Sequence, residues 1–236
     1  MKNRTSSALF VILILIGFAA SGFASDSPQP SLCADKDLFC KEFETLVQNE
    51  QYDKVIGRID EREAYSEMAR QYIGRAYLGI ASRENNTSKQ EEEYCRKALQ
   101  YGAVQAYMGL YFITVQEAPE TALGYLRQYV ATKPGDSVPY VILGEAELEK
   151  RNYKEADAFL RESKKVARAS SPRVDFMLFQ ANYLLGNFTD ASQMLENALS
   201  SGQFDKQMSS LSADARFAGI EKRPEFKKFP LHASRS

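Results

Sequence analysis

Small and apolar residues recur along the chain at the spacing of an α-helix. Between residues 153 and 167 they return every three or four positions, with lysine, glutamate and arginine between them, at Tyr153, Ala156, Leu160, Ser163 and Ala167. This spacing places them together on one face of a helix and leaves the charged residues on the other. No run alternates apolar and polar residues at period two for long enough to predict a strand. The pattern therefore predicts an all-α protein.

At three points along the chain, a polar turn is followed by an aromatic residue and, three positions later, by a small or branched apolar residue. The aromatic residues are Tyr52, Tyr153 and Phe188, and the last two are 35 residues apart. Alanines keep nearly the same interval, 34 and then 35 residues, at Ala122, Ala156 and Ala191. An interval of this length is typical of arrays of helix pairs. We predict five pairs, which begin near Lys36, Tyr72, Ala103, Ser137 and Pro172.

Other residues agree with this spacing. A leucine is followed by a glycine at Leu78-Gly79 and at Leu143-Gly144, and Pro134 falls at a predicted repeat end. Together with the period, these residues resemble the tetratricopeptide repeat, which is about 34 residues long. We expect the two glycines where the two helices of a pair cross, since a close crossing needs a small residue.

The second pair is similar to the Sel1-like variant of the same superfamily, through the segment from Tyr94 to Gly102 and the later Ala106 and Gly109. The resemblance covers residues 36–204. It implies a right-handed solenoid of about five tetratricopeptide-like or Sel1-like helix pairs with a C-terminal cap. We expect the cap and tail over residues 205–236, where charged residues separate Leu211, Phe217, Ile220, Phe226 and Phe229.

In this superfamily the first helices of the pairs line a concave groove, and the resemblance assigns eight positions of this chain to it. They are Tyr107, Tyr111, Val138, Val141, Glu145, Phe176, Gln180 and Tyr183. The set lacks the lysine and asparagine clamp by which some members bind a terminal carboxylate. The groove therefore suits an extended or helical peptide, or the faces of sugar rings. The alternative is that these side chains pack against the neighbouring first helix.

The N-terminus has the composition of a secretory signal peptide. Two basic residues precede an apolar run over residues 8–20, and small residues follow as far as Ala24. We expect a signal peptide over residues 1–24, a polar tail over residues 25–35 and no membrane span after cleavage. The alternative is an uncleaved anchor, because the apolar stretch is near the shortest length that spans a bilayer.

Composition and charge argue for a folded protein without catalytic chemistry. The chain is 44% hydrophobic and 26% charged with a net charge of −1, so nothing in it predicts a nucleic-acid partner. The single histidine, His232, lies near the C-terminus, which argues against a catalytic triad or a zinc site. Carboxylates that share a helix point in different directions and are expected to be solvated, as at Glu145, Glu147 and Glu149. We expect no cofactor, no metal and no enzymatic activity.

Three cysteines and three glycosylation sequons bear on the predicted export. A separation of seven residues favours a disulfide between Cys33 and Cys40 in an oxidising compartment. The alternative is three reduced thiols, with Cys95 buried as a small apolar residue. The sequons begin at Asn85, Asn86 and Asn187.

These features predict an exported protein, periplasmic or secreted, or in the ER lumen or outside the cell if the source is eukaryotic. The first functional hypothesis is a non-catalytic scaffold or adaptor that binds a protein or peptide in its groove. The alternative is a carbohydrate-associated scaffold of cell-wall or exopolysaccharide assembly or export, suggested by the Sel1-like pair and the aromatic groove.

Overall fold

The computed structural model describes residues 33–34, 37–60, 64–132, 134–169, 171–200, 202, 211 and 214–229. The predicted signal peptide, most of the polar tail, His232 and the C-terminal residues from 230 lie outside the described residues. Within the described ranges the chain forms helices and no strand, so the all-α prediction is confirmed.

The described chain contains ten α-helices: α1 (Leu38–Gln48), α2 (Tyr52–Ile56), α3 (Glu67–Ala81), α4 (Ser88–Gln100), α5 (Ala106–Thr114), α6 (Pro119–Ala131), α7 (Val138–Glu149), α8 (Tyr153–Ala167), α9 (Pro172–Leu184) and α10 (Phe188–Leu199). Three one-turn 3-10 helices follow, over Ala215–Phe217, Ile220–Lys222 and Pro224–Phe226. The helices α1, α3, α5, α7 and α9 begin within five residues of the predicted starts of the five pairs.

The chain divides into two compact units at Pro134-Gly135, the first over Met1–Pro134 and the second over Gly135–Ser236. In the first unit, α3 packs against α1, α2 and α4, and α5 packs against α4 and α6. In the second unit, α8 packs against α7 and α9, and α10 packs against α9. Within each unit neighbouring helices therefore pack in sequence, which is the arrangement found in α-solenoids.

The three turn signatures fold in the same way. The residue two positions before each aromatic residue has a positive φ of 55°, 63° or 84°, at Glu50, Arg151 and Gly186. The next backbone N–H donates to a carbonyl five residues earlier at 2.8 Å: Gln51 to Leu46, Asn152 to Glu147, and Asn187 to Asn182. This is the Schellman ending of an α-helix. The repeated signature thus marks one junction geometry, between α1 and α2, α7 and α8, and α9 and α10.

The glycines of the two Leu-Gly pairs face different neighbours. A Cβ added to Gly144 would lie 2.6 Å from Cγ of Leu160, so this glycine does allow α7 to cross α8 closely. A Cβ on Gly79 would instead overlap the ring of Tyr52 in α2, which belongs to the preceding pair. The expectation for Gly79 is therefore wrong. The close approach between α3 and the end of α4 occurs at Gly74, where a Cβ would lie 2.8 Å from that of Ala103.

Candidate functional site

The predicted groove residues of the second unit lie on one face of α7 and one face of α9. Val138, Val141 and Glu145 follow one another at three and four positions along α7, and Val138 is 39% exposed. The Nη2 atom of Arg173 on α9 donates to both carboxylate oxygens of Glu145, at 2.8 and 2.7 Å. This exposed ion pair joins the two helices. We call the surface formed by Val138, Val141, Glu145, Arg173, Phe176 and Gln180 the α7–α9 surface.

Arg173 is absent from the residues predicted for the groove. It is the second residue of α9 and lies three residues before Phe176, so helical spacing places it on the same face of α9 as that groove residue. Sequence position alone could therefore have identified it. Its pairing with Glu145 joins positions 28 residues apart, and helical periodicity does not predict such a contact.

Along α9, the predicted groove residues differ in exposure. Phe176 and Gln180 are half-buried, and the Phe176 ring centroid lies 5.6 Å from that of Phe179. Tyr183 is only 8% exposed, and the rings of Phe217 and Phe226 lie 5.1 and 5.6 Å from it. Tyr183 therefore belongs to the core beneath the C-terminal residues, and the α7–α9 surface ends at Gln180.

The first unit contributes the two predicted groove tyrosines on α5. Tyr107 and Tyr111 are both half-buried. Tyr107 packs against the core of the first unit, and the Tyr111 ring makes an edge contact with Phe112 at 5.1 Å. For these two residues, packing therefore covers part of the residue and leaves part of it accessible.

A cavity of about 170 Å³ lies in the second unit, lined by Ser137, Val141, Ser163, Lys164, Ser171 and Val174, among others. Two of its polar side chains have partners within the unit: Lys164 donates to Asp175 at 2.7 Å, and Ser171 caps the first turn of α9. A cavity for a small-molecule ligand is usually about 300 Å³ or more. This one therefore gives little support to a small-molecule site.

The described residues contain no group of three histidine, cysteine or acidic side chains placed to hold a metal ion. Within the same ranges, no helix is long and apolar enough to cross a membrane. Burial raises the pKa of the Cys95 thiol to about 12, so this cysteine stays protonated at neutral pH and is a poor nucleophile. Glu147 is 4% exposed and accepts a hydrogen bond from Asn152, so the expectation that it is solvated is wrong.

The residues linked to export have distinct surroundings. Cys33 and Cys40 are joined by a disulfide with a Cα–Cα distance of 5.6 Å, and Cys95 is free and buried. Asn85 is exposed, whereas the Asn86 side-chain amide donates to the carbonyls of Ile80 and Ala81 at the end of α3. Asn187 donates to Asn182 at 3.3 Å.

No protein-family model matches this chain, and no curated protein matches it. The resemblance to tetratricopeptide and Sel1-like repeats therefore depends on residues of this sequence and stays a prediction. The class that the fold itself defines is an all-α protein of neighbouring helices packed in sequence.

Proposed function

We propose that this protein is a non-catalytic scaffold that binds a protein or peptide through the first helices of its pairs. The observation that carries the proposal is the α7–α9 surface. It presents an apolar side chain, Val138, at 39% exposure on the same helix face as the exposed ion pair of Glu145 and Arg173. Arginine beside apolar contact area is typical of the residues that dominate binding energy at protein interfaces.

The geometry of the ion pair leaves Arg173 able to bind a partner. Only its Nη2 atom contacts Glu145, and the side chain remains 64% exposed. The Nε and Nη1 edge of the guanidinium group can therefore donate to a carboxylate or backbone carbonyl of a bound segment. An apolar residue of the same segment would cover Val138.

Export and the repeat array belong to the same proposal. A bond between Cys33 and Cys40 suits an oxidising compartment, which supports a periplasmic or secreted protein with its signal peptide cleaved after Ala24. The proposed array has five tetratricopeptide-like pairs, the second of them Sel1-like, closed by a cap. The shared junctions at Glu50, Arg151 and Gly186 support three of these pairs.

The test is affinity capture from the exported fraction with the full-length protein as bait. Val138→Asp combined with Arg173→Glu should lower partner binding by about tenfold or more, since both central contacts are lost. Lys154→Glu, an exposed change on α8, is the matched control and should leave binding unchanged. Partners retained equally by both variants would remove the α7–α9 surface from the proposal, and Tyr107→Ala with Tyr111→Ala then tests the first unit.

The carbohydrate alternative needs open aromatic faces. Those of Tyr183 are covered by Phe217 and Phe226, whereas Tyr107 and Tyr111 are only half-buried. Titration with glycan fragments at millimolar concentration should shift the NMR signals of Tyr107 and Tyr111 if this alternative is correct. Unchanged signals would contradict the carbohydrate alternative, and protein binding would be the remaining proposal.

A further inference from the structure

The last described residues, 214–229, form a segment that is not a further helix pair. It consists of three one-turn 3-10 helices, and its own backbone hydrogen bonds are local, as from Phe217 to Asp214 at 2.9 Å and from Phe226 to Arg223 at 3.1 Å. It packs on α9 and α10. We call residues 214–229 the C-terminal segment, and the surface that it covers the α9–α10 face.

Three side chains anchor the C-terminal segment. Phe217, Ile220 and Phe226 are 1%, 0% and 0% exposed. Phe217 and Phe226 both lie against the ring of Phe179 on α9, and their ring centroids are 5.6 and 6.1 Å from that of Phe179. The anchors are separated by three and then six residues, so the α9–α10 face recognises an aromatic, an aliphatic and a second aromatic side chain in this order.

Polar contacts with α10 add to the anchors at the edge of the face. The Arg223 guanidinium lies 3.5 Å from the ring centroid of Phe188, and Lys228 pairs with Glu196 at 2.6 Å. The Ser192 hydroxyl donates to the carbonyl of Glu225 at 2.8 Å. The segment is thus held mainly through side chains, in the way that a bound peptide is held in a groove.

One atom of the C-terminal segment is poorly accommodated. The Oε2 atom of Glu225 is buried and has no hydrogen-bond partner among the described residues. A buried carboxylate oxygen without a donor costs free energy that an apolar side chain at the same position would not. An apolar side chain at position 225 is therefore expected to bind the face at least as tightly as Glu225 does.

Leu211 precedes the C-terminal segment and belongs to the same buried cluster, at 3% exposure, so it has to leave the face together with the segment. Residues 200–210 connect it to α10, and eleven residues can span about 36 Å when extended. We propose that the α9–α10 face is a peptide-binding site, that the C-terminal segment occupies it as an internal ligand, and that a partner segment with the same anchor spacing replaces it. This deepens the proposed scaffold function by adding a second, self-blocked site.

The test uses the full chain with a protease site introduced between residues 203 and 210. After folding, the chain is cut there, and a fluorescent peptide of residues 211–229 is added while anisotropy is recorded. The cut protein should exchange its segment for the peptide in a saturable way. The uncut protein should bind the peptide about tenfold or more weakly, because its tethered segment competes at high effective concentration.

Two peptide variants make the test specific. Phe226→Ala should abolish exchange, whereas Glu225→Met should bind at least as tightly as the native peptide. Equal binding to cut and uncut protein would place the peptide elsewhere and overturn the proposal, as would a Phe226→Ala peptide that binds normally.

If the cut protein aggregates, hydrogen exchange of the intact chain tests the proposal instead. Amides of residues 214–229 should exchange about tenfold or more faster than those of α9 and α10, because the segment opens by itself. Equal protection of the segment and the two helices would overturn the proposal. Either failure leaves the α7–α9 surface untouched, so the scaffold function is judged separately by the capture experiment.

Discussion

The described part of the first unit is held together by a disulfide and by close apolar contacts. The second unit, in contrast, buries polar and charged side chains between its helices. All the buried polar or charged residues of the described chain lie in the second unit: Glu147, Ser163, Asp175, Asn182 and Ser192. Three of them form hydrogen bonds with other side chains, at 2.7 Å from Asn152 to Glu147, 2.7 Å from Lys164 to Asp175 and 2.6 Å from Asn182 to Asp157.

The first unit reaches similar helix packing by other means. Gly74 and Gly79 bring α3 against its neighbours, and Cys33 is bonded to the first turn of α1. Asp37 accepts a hydrogen bond from the backbone of Cys40 at 2.8 Å and another from Ser66, so the N-terminal end of α3 is tied to the same place. The difference teaches that each unit should have a weakness of its own: the first is sensitive to reduction of its disulfide, and the second to the removal of one partner of a buried polar pair.

The largest expected effect comes from emptying the centre of either core. Phe43 and Phe179 are both 0% exposed, and replacing either by alanine should lower the free energy of unfolding by about 3–5 kcal/mol. Urea unfolding followed by helix-resolved hydrogen exchange should localise each loss, Phe43→Ala in the first unit and Phe179→Ala in the second. A loss spread evenly over both units would show that they unfold as one body.

The disulfide offers the next largest effect. A disulfide between residues seven positions apart lowers the entropy of the unfolded chain, which stabilises the fold by about 2.5 kcal/mol. Reduction should therefore lower the free energy of unfolding of the first unit by that amount. Thermal unfolding with and without reductant measures it. Cys95→Ala should respond to reductant like the parent, and Cys33→Ser with Cys40→Ser should not respond at all. A response in the double variant would implicate Cys95 instead.

A single buried ion pair tests the second unit. Asp175 is 3% exposed, and Asp175→Ala leaves Lys164 without its partner. The loss should be about 2 kcal/mol, less than for a fully buried pair, because the Lys164 side chain is 26% exposed and can turn to water. Lys164→Met with Asp175→Leu should recover most of the stability, since no unpaired charge remains. If the double variant is no more stable than Asp175→Ala, the pair is not the cause.

Local features of the fold were predictable from sequence, and contacts between distant residues were not. The polar-aromatic signature marks three Schellman turns because a turn depends on a few consecutive residues. Burial of Glu147 has no such local signal. Its hydrogen-bond partner Asn152 is only five residues away, but its burial depends on the helices packed against α7, which a local pattern does not predict.

The candidate site shows the same limit. Helical spacing was sufficient to place Val138, Val141 and Glu145 on one face of α7. The spacing could not show that Tyr183 is covered, because the residues that cover it, Phe217 and Phe226, lie more than thirty positions further on. Gly79 was assigned to the wrong crossing for the same reason, since its neighbour Tyr52 comes from the preceding pair.

The smallest expected effect is a loss of stability of the first unit in alkali. Burial, with help from the hydrogen bond to Glu44, raises the pKa of Tyr72 from 10.0 to about 12, and burial likewise raises the pKa of Cys95 from 9.0 to about 12. Both groups are neutral when folded, so their contribution is complete below the unfolded pKa values and is lost as the pH rises through about 12. Thermal unfolding from pH 9 to 12 should therefore show the first unit melting earlier, and Tyr72→Phe with Cys95→Ala should reduce this alkaline loss while leaving the second unit unchanged. An equal loss in parent and variant would mean that Tyr72 and Cys95 do not cause the alkaline loss of stability of the first unit.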